Sequence, residues 1–191
     1  NDITSTFGFG DNTDRVTSIQ RFPDDISYGF AYDGTLPTEM TVSGSVNGRY
    51  TYRYNNNFNL AGFTFAGESE VGLMYDKDGL AVQYGSFGIT RGHSFGLPTA
   101  ISNGVMTVTY GYDSYGRMTG RVHTVNGNEV YRLGLHYDNT GLISQRNETV
   151  AALGNTQSTY EYDANKQLTG VTGSKTETYT YDANGNRLSG N

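Results

Sequence analysis

A short pattern returns throughout this chain: an aromatic residue, one spacer, Tyr-Asp, then Gly and an aliphatic residue a few positions on. Tyr179-Thr-Tyr181-Asp182-Ala-Asn-Gly185-Asn-Arg187-Leu188 is the fullest copy. Tyr110-Gly-Tyr112-Asp113-Ser-Tyr-Gly116-Arg117-Met118 nearly duplicates it. Tyr137-Asp138-Asn-Thr-Gly141-Leu142 and Tyr75-Asp76-Lys-Asp-Gly79-Leu80 are shorter copies. Tyr160-Glu-Tyr162-Asp163-Ala-Asn-Lys166 loses the Gly, and Phe30-Ala-Tyr32-Asp33-Gly34 compresses the turn. Degenerate copies fill the gaps, at Tyr52-Arg-Tyr54-Asn55, Ile89-Thr-Arg91-Gly92 and Phe7-Gly-Phe9-Gly10. The anchors then fall at positions 9, 32, 54, 75, 91, 112, 137, 162 and 181, with a mean step of about 21.5 residues. Self-similarity at such a period marks a repeat architecture, in which each copy is one supersecondary unit. The copies run through residues 1–191 as one repeat domain, with residues 1–27 matching least clearly.

The local chemistry of a copy predicts a β-hairpin. In Val130-Tyr131-Arg132-Leu133-Gly134-Leu135-His136-Tyr137, Tyr and Leu alternate with Arg, Gly and His. That period of two marks a strand with one apolar face. The Asp then opens a turn, because its short side chain accepts from the backbone two residues on, and the Gly supplies positive φ at little steric cost. Asn47-Gly48, Asn126-Gly127 and Gly173-Ser174 suit the second turns that link one hairpin to the next. A lone hairpin does not bury its face. Successive hairpins are therefore expected to pair edge to edge, with equivalent Tyr residues side by side on neighbouring strands. The fold class expected is all-β: repeated antiparallel hairpins forming a curved, spiralling sheet.

Composition agrees. Gly contributes 26 residues, Tyr 16 and Phe 9, whereas charged residues make up only 17%. Gly, Asn, Thr and Tyr are weak helix formers. With no Cys there is neither a disulfide scaffold nor a thiolate site. No run approaches the roughly 18 apolar residues of a membrane helix, and no membrane insertion is expected. The net charge is −6, and ten of the 13 basic residues are Arg spread along the chain. Nucleic-acid binding calls for clustered Lys and Arg, so no nucleic acid is expected. The chain begins at Asn1, without a signal peptide, which reads as a mature segment or a piece of something longer.

These copies resemble the YD repeats of Rhs and teneurin-type proteins. The likeness extends beyond the dipeptide to an ordered run: Phe30 to Leu36, Ser43 to Gly48, Tyr54 to Phe58, Tyr75 to Leu80, then Gly85, Thr90-Arg91 and Gly96-Leu97. The departures are Asn55 and Gly92 for Asp, and Lys166 for Gly. The resemblance implies a β-ribbon spiralling into a large hollow shell, which in bacterial members encloses a C-terminal toxic cargo and in animal members belongs to an adhesion receptor. Full shells are several times longer, and the self-cleavage segment and cargo of an Rhs core do not precede Asn191. The chain is thus expected to be a slice of shell wall or a short family member, secreted or on the cell surface of a bacterium. Its implied partners are the rest of the parent shell and an enclosed cargo domain. Open sheet edges also invite self-association.

Rival chemistry is thin. Gly92-His93-Ser94-Phe95-Gly96 fits the G-x-S-x-G elbow, and Asp113 or Asp138 with His123 or His136 follow in the order Ser, Asp, His. An elbow needs a helix after it, and Leu97-Pro98-Thr99 continues as a poor one, so the segment reads as a repeat turn. Asp76-Lys-Asp78-Gly79 and Asp182-Ala-Asn184-Gly185 hint at calcium loops but lack the sixth-position Gly and twelfth-position Glu. Glu68 with Glu70, and Asp24 with Asp25, are carboxylate pairs without a distinguishing pattern. The three His read as surface or strand residues. Asn147-Glu148-Thr149 is a glycosylation sequon. No catalytic residue, cofactor or metal is expected. The alternative to a structural wall is an adhesion module binding carbohydrate or protein through exposed Tyr and Asn.

Overall fold

A computed structural model describes residues 3–10, 13–92 and 94–190. These hold eighteen β-strands and no helix. The strands group into two compact units, divided between Ser86 and Phe87. The first contains β1 (Thr4–Phe9), β2 (Val16–Phe22), β3 (Ile26–Asp33), β4 (Leu36–Ser43), β5 (Gly48–Tyr54), β6 (Leu60–Phe65), β7 (Val71–Tyr75) and β8 (Ala81–Tyr84). The second contains β9 (Phe87–Arg91), β10 (Pro98–Ser102), β11 (Met106–Tyr112), β12 (Met118–Val125) and β13 (Asn128–Tyr137). It continues through β14 (Ile143–Val150), β15 (Gly154–Tyr162), β16 (Leu168–Gly173), β17 (Glu177–Tyr181) and β18 (Arg187–Gly190).

The strand ends follow the repeat. β1, β5, β7, β9, β11, β13, β15 and β17 each stop on an anchor, and β3 stops one residue after Tyr32. Each copy is thus one odd strand, its turn and the returning even strand, and every observed pairing is antiparallel.

Within each unit, strands pack only against their sequence neighbours, so a unit is one sheet deep. A single layer buries little: among the described residues, only Ala61 and Leu133 count as buried hydrophobics, at 7% and 9% exposure. What replaces a core is segregation of the two faces. In the first unit, Phe30, Met40, Tyr50 and Phe65 lie opposite one another across four strands. Tyr52, Phe63 and Val71 form the next row. The Tyr50 and Phe65 rings meet at 4.7 Å. The other face carries Thr51 bonded to Thr64, and the pairs Arg49–Glu39 and Arg53–Glu70, each 2.6 Å. In the second unit the small polar face runs through Gly111, Gly120, Gly134, Asn147 and Gln157. Stability therefore comes from aromatic bodies shielding one another sideways, together with the hydrogen-bond ladder.

The connecting turns follow expectation in part. Asn126-Gly127 is the two-residue turn between β12 and β13, with φ of +50° and +79°. Gly48, by contrast, is the first residue of β5 and pairs with Val42. The turn lies before it, where the Asn47 side chain accepts from the Gly44 N–H. Gly173 closes β16 rather than forming the turn itself.

The expected side-by-side Tyr pairs do not form. Equivalent anchors sit on alternate strands, two strand spacings or about 10 Å apart, too far for direct ring pairing. The ring contacts seen are within a strand, as Tyr50–Tyr52 and Tyr110–Tyr112, or between different positions of the repeat, as Tyr50–Phe65.

Candidate functional site: the repeat clasp

The signature residues converge on one recurring construction at hairpin ends. In six turns the same network recurs. The Asp76 carboxylate accepts from the N–H groups of Asp78 and Leu80, both at 2.9 Å. Asp113 accepts from Tyr115 and Arg117, Asp138 from Thr140 and Leu142, Asp163 from Asn165 and Gln167, and Asp182 from Asn184 and Asn186. Asn55 reproduces the pattern with Asn57 and Asn59. The acceptance two residues on was expected; the one four residues on was not. A backbone bond from the Gly position to the carbonyl of the Asp completes each turn, as for Gly79, Gly116, Gly141 and Gly185. That position always has positive φ. The Gly residues take +77° to +88°, and Phe58 and Lys166 hold +61° and +65° in the copies that lack Gly. A side chain there costs about 1–2 kcal/mol. Lys166→Gly should therefore stabilise the chain by about 1 kcal/mol, read from the midpoint of urea denaturation.

Three of these carboxyls are held below the usual aspartate range. For Asp138 the leading cause is the Thr140 hydroxyl, followed by the Leu142 N–H. For Asp182 it is the Asn186 side chain. For Asp113, burial pushes upward, and the Arg117 backbone and guanidinium outweigh it. A lowered folded value means that the ionised form is favoured by folding. The contribution is complete above about pH 5 and fades as pH falls below about 4. A melting series from pH 6 to pH 3 should show that loss. Asp138→Asn keeps the backbone bonds, as Asn55 does, but not the charge, so at pH 7 it should fall between wild type and Asp138→Ala, and its stability should lose the pH dependence owed to this carboxyl. Equal melting temperatures for the two variants would contradict the assigned role.

The anchors themselves form the clasp. Tyr32 donates its phenol to the Val16 carbonyl, Tyr54 to Pro37, Tyr75 to Leu60, Tyr112 to Pro98, Tyr137 to Met118, Tyr162 to Ile143 and Tyr181 to Leu168, at 2.8–2.9 Å. In each case the acceptor is the residue paired with the preceding anchor: Val16 with Phe9, Pro37 with Tyr32, Leu60 with Tyr54, Pro98 with Arg91, Met118 with Tyr112, Ile143 with Tyr137 and Leu168 with Tyr162. Every clasp thus ties one copy to the one before it. A bulge sits at the same place. Ala61, Thr119, Ser144 and Thr169, for instance, are extra residues on the even strand beside their anchors. Bulges sharpen strand twist, and here they free the carbonyl row for the phenols. Burial raises the Tyr54, Tyr112 and Tyr162 phenols above their usual value, which keeps them protonated as donors. Arg117 adds a further tie. It bonds Asp113 at 2.7 Å and lies 4.4 Å over the ring of Tyr137 in the next copy. Arg187 lies over Tyr179 instead.

The rival residues are deployed otherwise. Ser94 lies in a turn and, with Phe95, Tyr110, Tyr112 and Asp113, lines a shallow depression of about 510 Å³. The Asp113 and Asp138 carboxylates are committed to their own turns. His123 faces Tyr131, with ring centroids 5.0 Å apart, and His136 is exposed on β13. His93 lies outside the described residues. Glu70 is paired with Arg53, and Asp24 with Arg21. Asn147 sits within β14, paired on both sides.

Fold and clasp together define a single-layer β-wall built from one hairpin repeated along the chain. The chain belongs to the teneurin YD-shell family, whose model matches residues 4–191. It is 31% identical to human Teneurin-4 over 139 residues, and 30% identical to mouse Teneurin-3 over 135 residues. Those alignments cover 70% and 68% of this chain but 5% of either relative. Among solved structures, TcdB2-TccC3 without its hypervariable C-terminal region superposes with a TM-score of 0.68 at 14% identity, covering 96% of this chain and 11% of that one. TcdB2-TccC3-TEV gives 0.67 at 15% identity, over 85% and 10%.

Proposed function

We propose that this chain is a non-catalytic length of wall in a larger YD shell that encloses a cargo domain or scaffolds a secreted or cell-surface protein. The clasp carries the reading. Seven phenols each lock one copy to the previous one, a device whose product is continuity of a sheet, and one that any number of further copies extends. Proteins of this construction are modular along one dimension. The exposed aromatic face, with Phe7 at 56% and Phe9 at 59%, suits a surface that is covered in the assembled protein. In the full-length parent, a segment enclosed by the shell should resist protease until the shell unfolds. Digestion at the rate of the free segment would sink enclosure. Ser94→Ala should leave stability and assembly unchanged, and a fluorophosphonate probe should leave Ser94 unlabelled.

A second reading rests on the depression beside Phe95, where Tyr110 and Tyr112 stack at 6.5 Å. Such a platform fits a sugar ring, and selective retention on a glycan array, lost in Tyr110→Ala, would establish it.

A further inference from the structure

The aromatic face carries its densest charge on β12 and β14. On each even strand, the residue paired with the position two before the anchor lies on that face, and so does the residue two further on. The first is Ile19 on β2, Met40 on β4, Phe63 on β6 and Val171 on β16; the second is Val42 on β4 and Phe65 on β6, with Arg21 on β2. On β12 these positions are Arg121 and His123, and on β14 they are Arg146 and Glu148. Two adjacent copies therefore replace apolar rows with charge.

The four residues share a neighbourhood. The Arg121 guanidinium lies 5.4 Å from the Tyr131 ring, which His123 meets edge-on. The Tyr131 hydroxyl donates to Glu148 at 2.7 Å, and Arg146 pairs with the same carboxylate at 2.7 Å. Each Glu148 oxygen thereby accepts from one of these two donors. Arg121 Nε and His123 Nε2 are enclosed and have no hydrogen-bond partner. Enclosed donors without partners are costly, and the apolar residues used in the other copies would remove that cost. Two guanidiniums against one carboxylate leave the patch cationic in a chain of net charge −6.

We infer that Arg121, His123 and Arg146 form a carboxylate-binding site that receives an acidic side chain of a polypeptide lying on the aromatic face. The inference rests on the shell-wall reading for the nature of that polypeptide, and on the patch alone for its chemistry. Charge complementarity selects the ligand. The aromatic rows on either side supply apolar cover, and Arg121 and His123 supply the unused donors. His123 is held below its usual value by burial and by Arg121. The groups facing it are Arg121 on its own strand, Tyr110 on β11, Tyr131 on β13, and Arg146 and Glu148 on β14. A bound carboxylate favours the imidazolium against the Arg121 charge and should move its titration upward.

The test uses the full chain and two peptides, hexaglutamate and hexaglutamine, at pH 7 and low salt. Hexaglutamate should bind, with weakening as salt rises, and should raise the titration midpoint of the His123 ring in NMR. Hexaglutamine should not. Arg121→Met combined with His123→Val restores the residues of β4. This variant should be at least as stable as wild type and bind hexaglutamate about tenfold more weakly or worse. Arg146→Met, which exposes Glu148, should weaken binding as well. Equal affinity in wild type and the double variant overturns the inference, as does equal binding of both peptides. Binding of inorganic phosphate without hexaglutamate overturns the polypeptide assignment. Protease sensitivity of an enclosed segment would sink the shell-wall reading while leaving the peptide result standing.

Discussion

Tyr137→Ala should lower stability by about 2–4 kcal/mol, and Tyr137→Phe by about 1 kcal/mol, in urea denaturation. The two numbers separate the two jobs of the anchor. The ring is half-buried under Arg117 and fills the bulged corner, so its removal loses packing and leaves Arg117 uncovered. The hydroxyl alone closes the bond to Met118. Tyr112 should behave in the same way through Pro98, and Tyr181 through Leu168. Because the contacts run only between neighbouring copies, the damage should spread outward from the lesion. Hydrogen exchange should accelerate first in β12, β13 and β14 around Tyr137, while β3 and β4 retain their protection. Uniform acceleration through both units would contradict a wall held by nearest-neighbour ties, and an Ala variant as stable as wild type would remove the clasp from the account.

Much of this was written locally in the sequence. Tyr-Asp with a Gly three residues after the Asp encodes strand end, turn opening and positive φ within six residues, and the period of two in Tyr131, Leu133 and Leu135 exposes the apolar face. These signals are short-range, so they are readable without knowing what pairs with what. The phenol acceptors were not readable. Met118 is 19 residues from Tyr137, and Leu168 is 13 from Tyr181, and nothing in their side chains marks a backbone carbonyl as an acceptor. The bulge is hidden for a related reason. Thr119, Ser144 and Thr169 look like ordinary strand residues, and they become extra only once the partner's register is known. Side-by-side Tyr pairing failed as an expectation because it treated copies as adjacent strands, whereas each copy contributes two. The charged patch at Arg121 and His123 was visible as composition but not as an exception, since the face of each residue depends on counting through the bulge.

Gly173→Ala should destabilise the chain by about 2–3 kcal/mol, a large effect for one methyl group on an exposed residue. At φ +144° the backbone is in a region that L side chains rarely enter, and a Cβ there would stand 2.0 Å from the Gln157 carbonyl oxygen and 2.9 Å from the Ser158 Cα. Both neighbours are main chain of β15, already fixed by pairing to β14 and β16, so neither is free to withdraw without breaking the ladder. Relief would require the end of β16 to peel away, taking the Ser158–Gly173 pair with it. The next turn would then lose its starting geometry, and β17, which pairs with β16 only through Gly170 and Val171, would be the first strand released. Circular dichroism melts should show the loss in overall stability, and limited proteolysis should cut between residues 173 and 177 in the variant well before wild type. A Gly173→Ala protein that melts with wild type and resists that cut would mean that the close approach of β15 and β16 does not constrain the repeat.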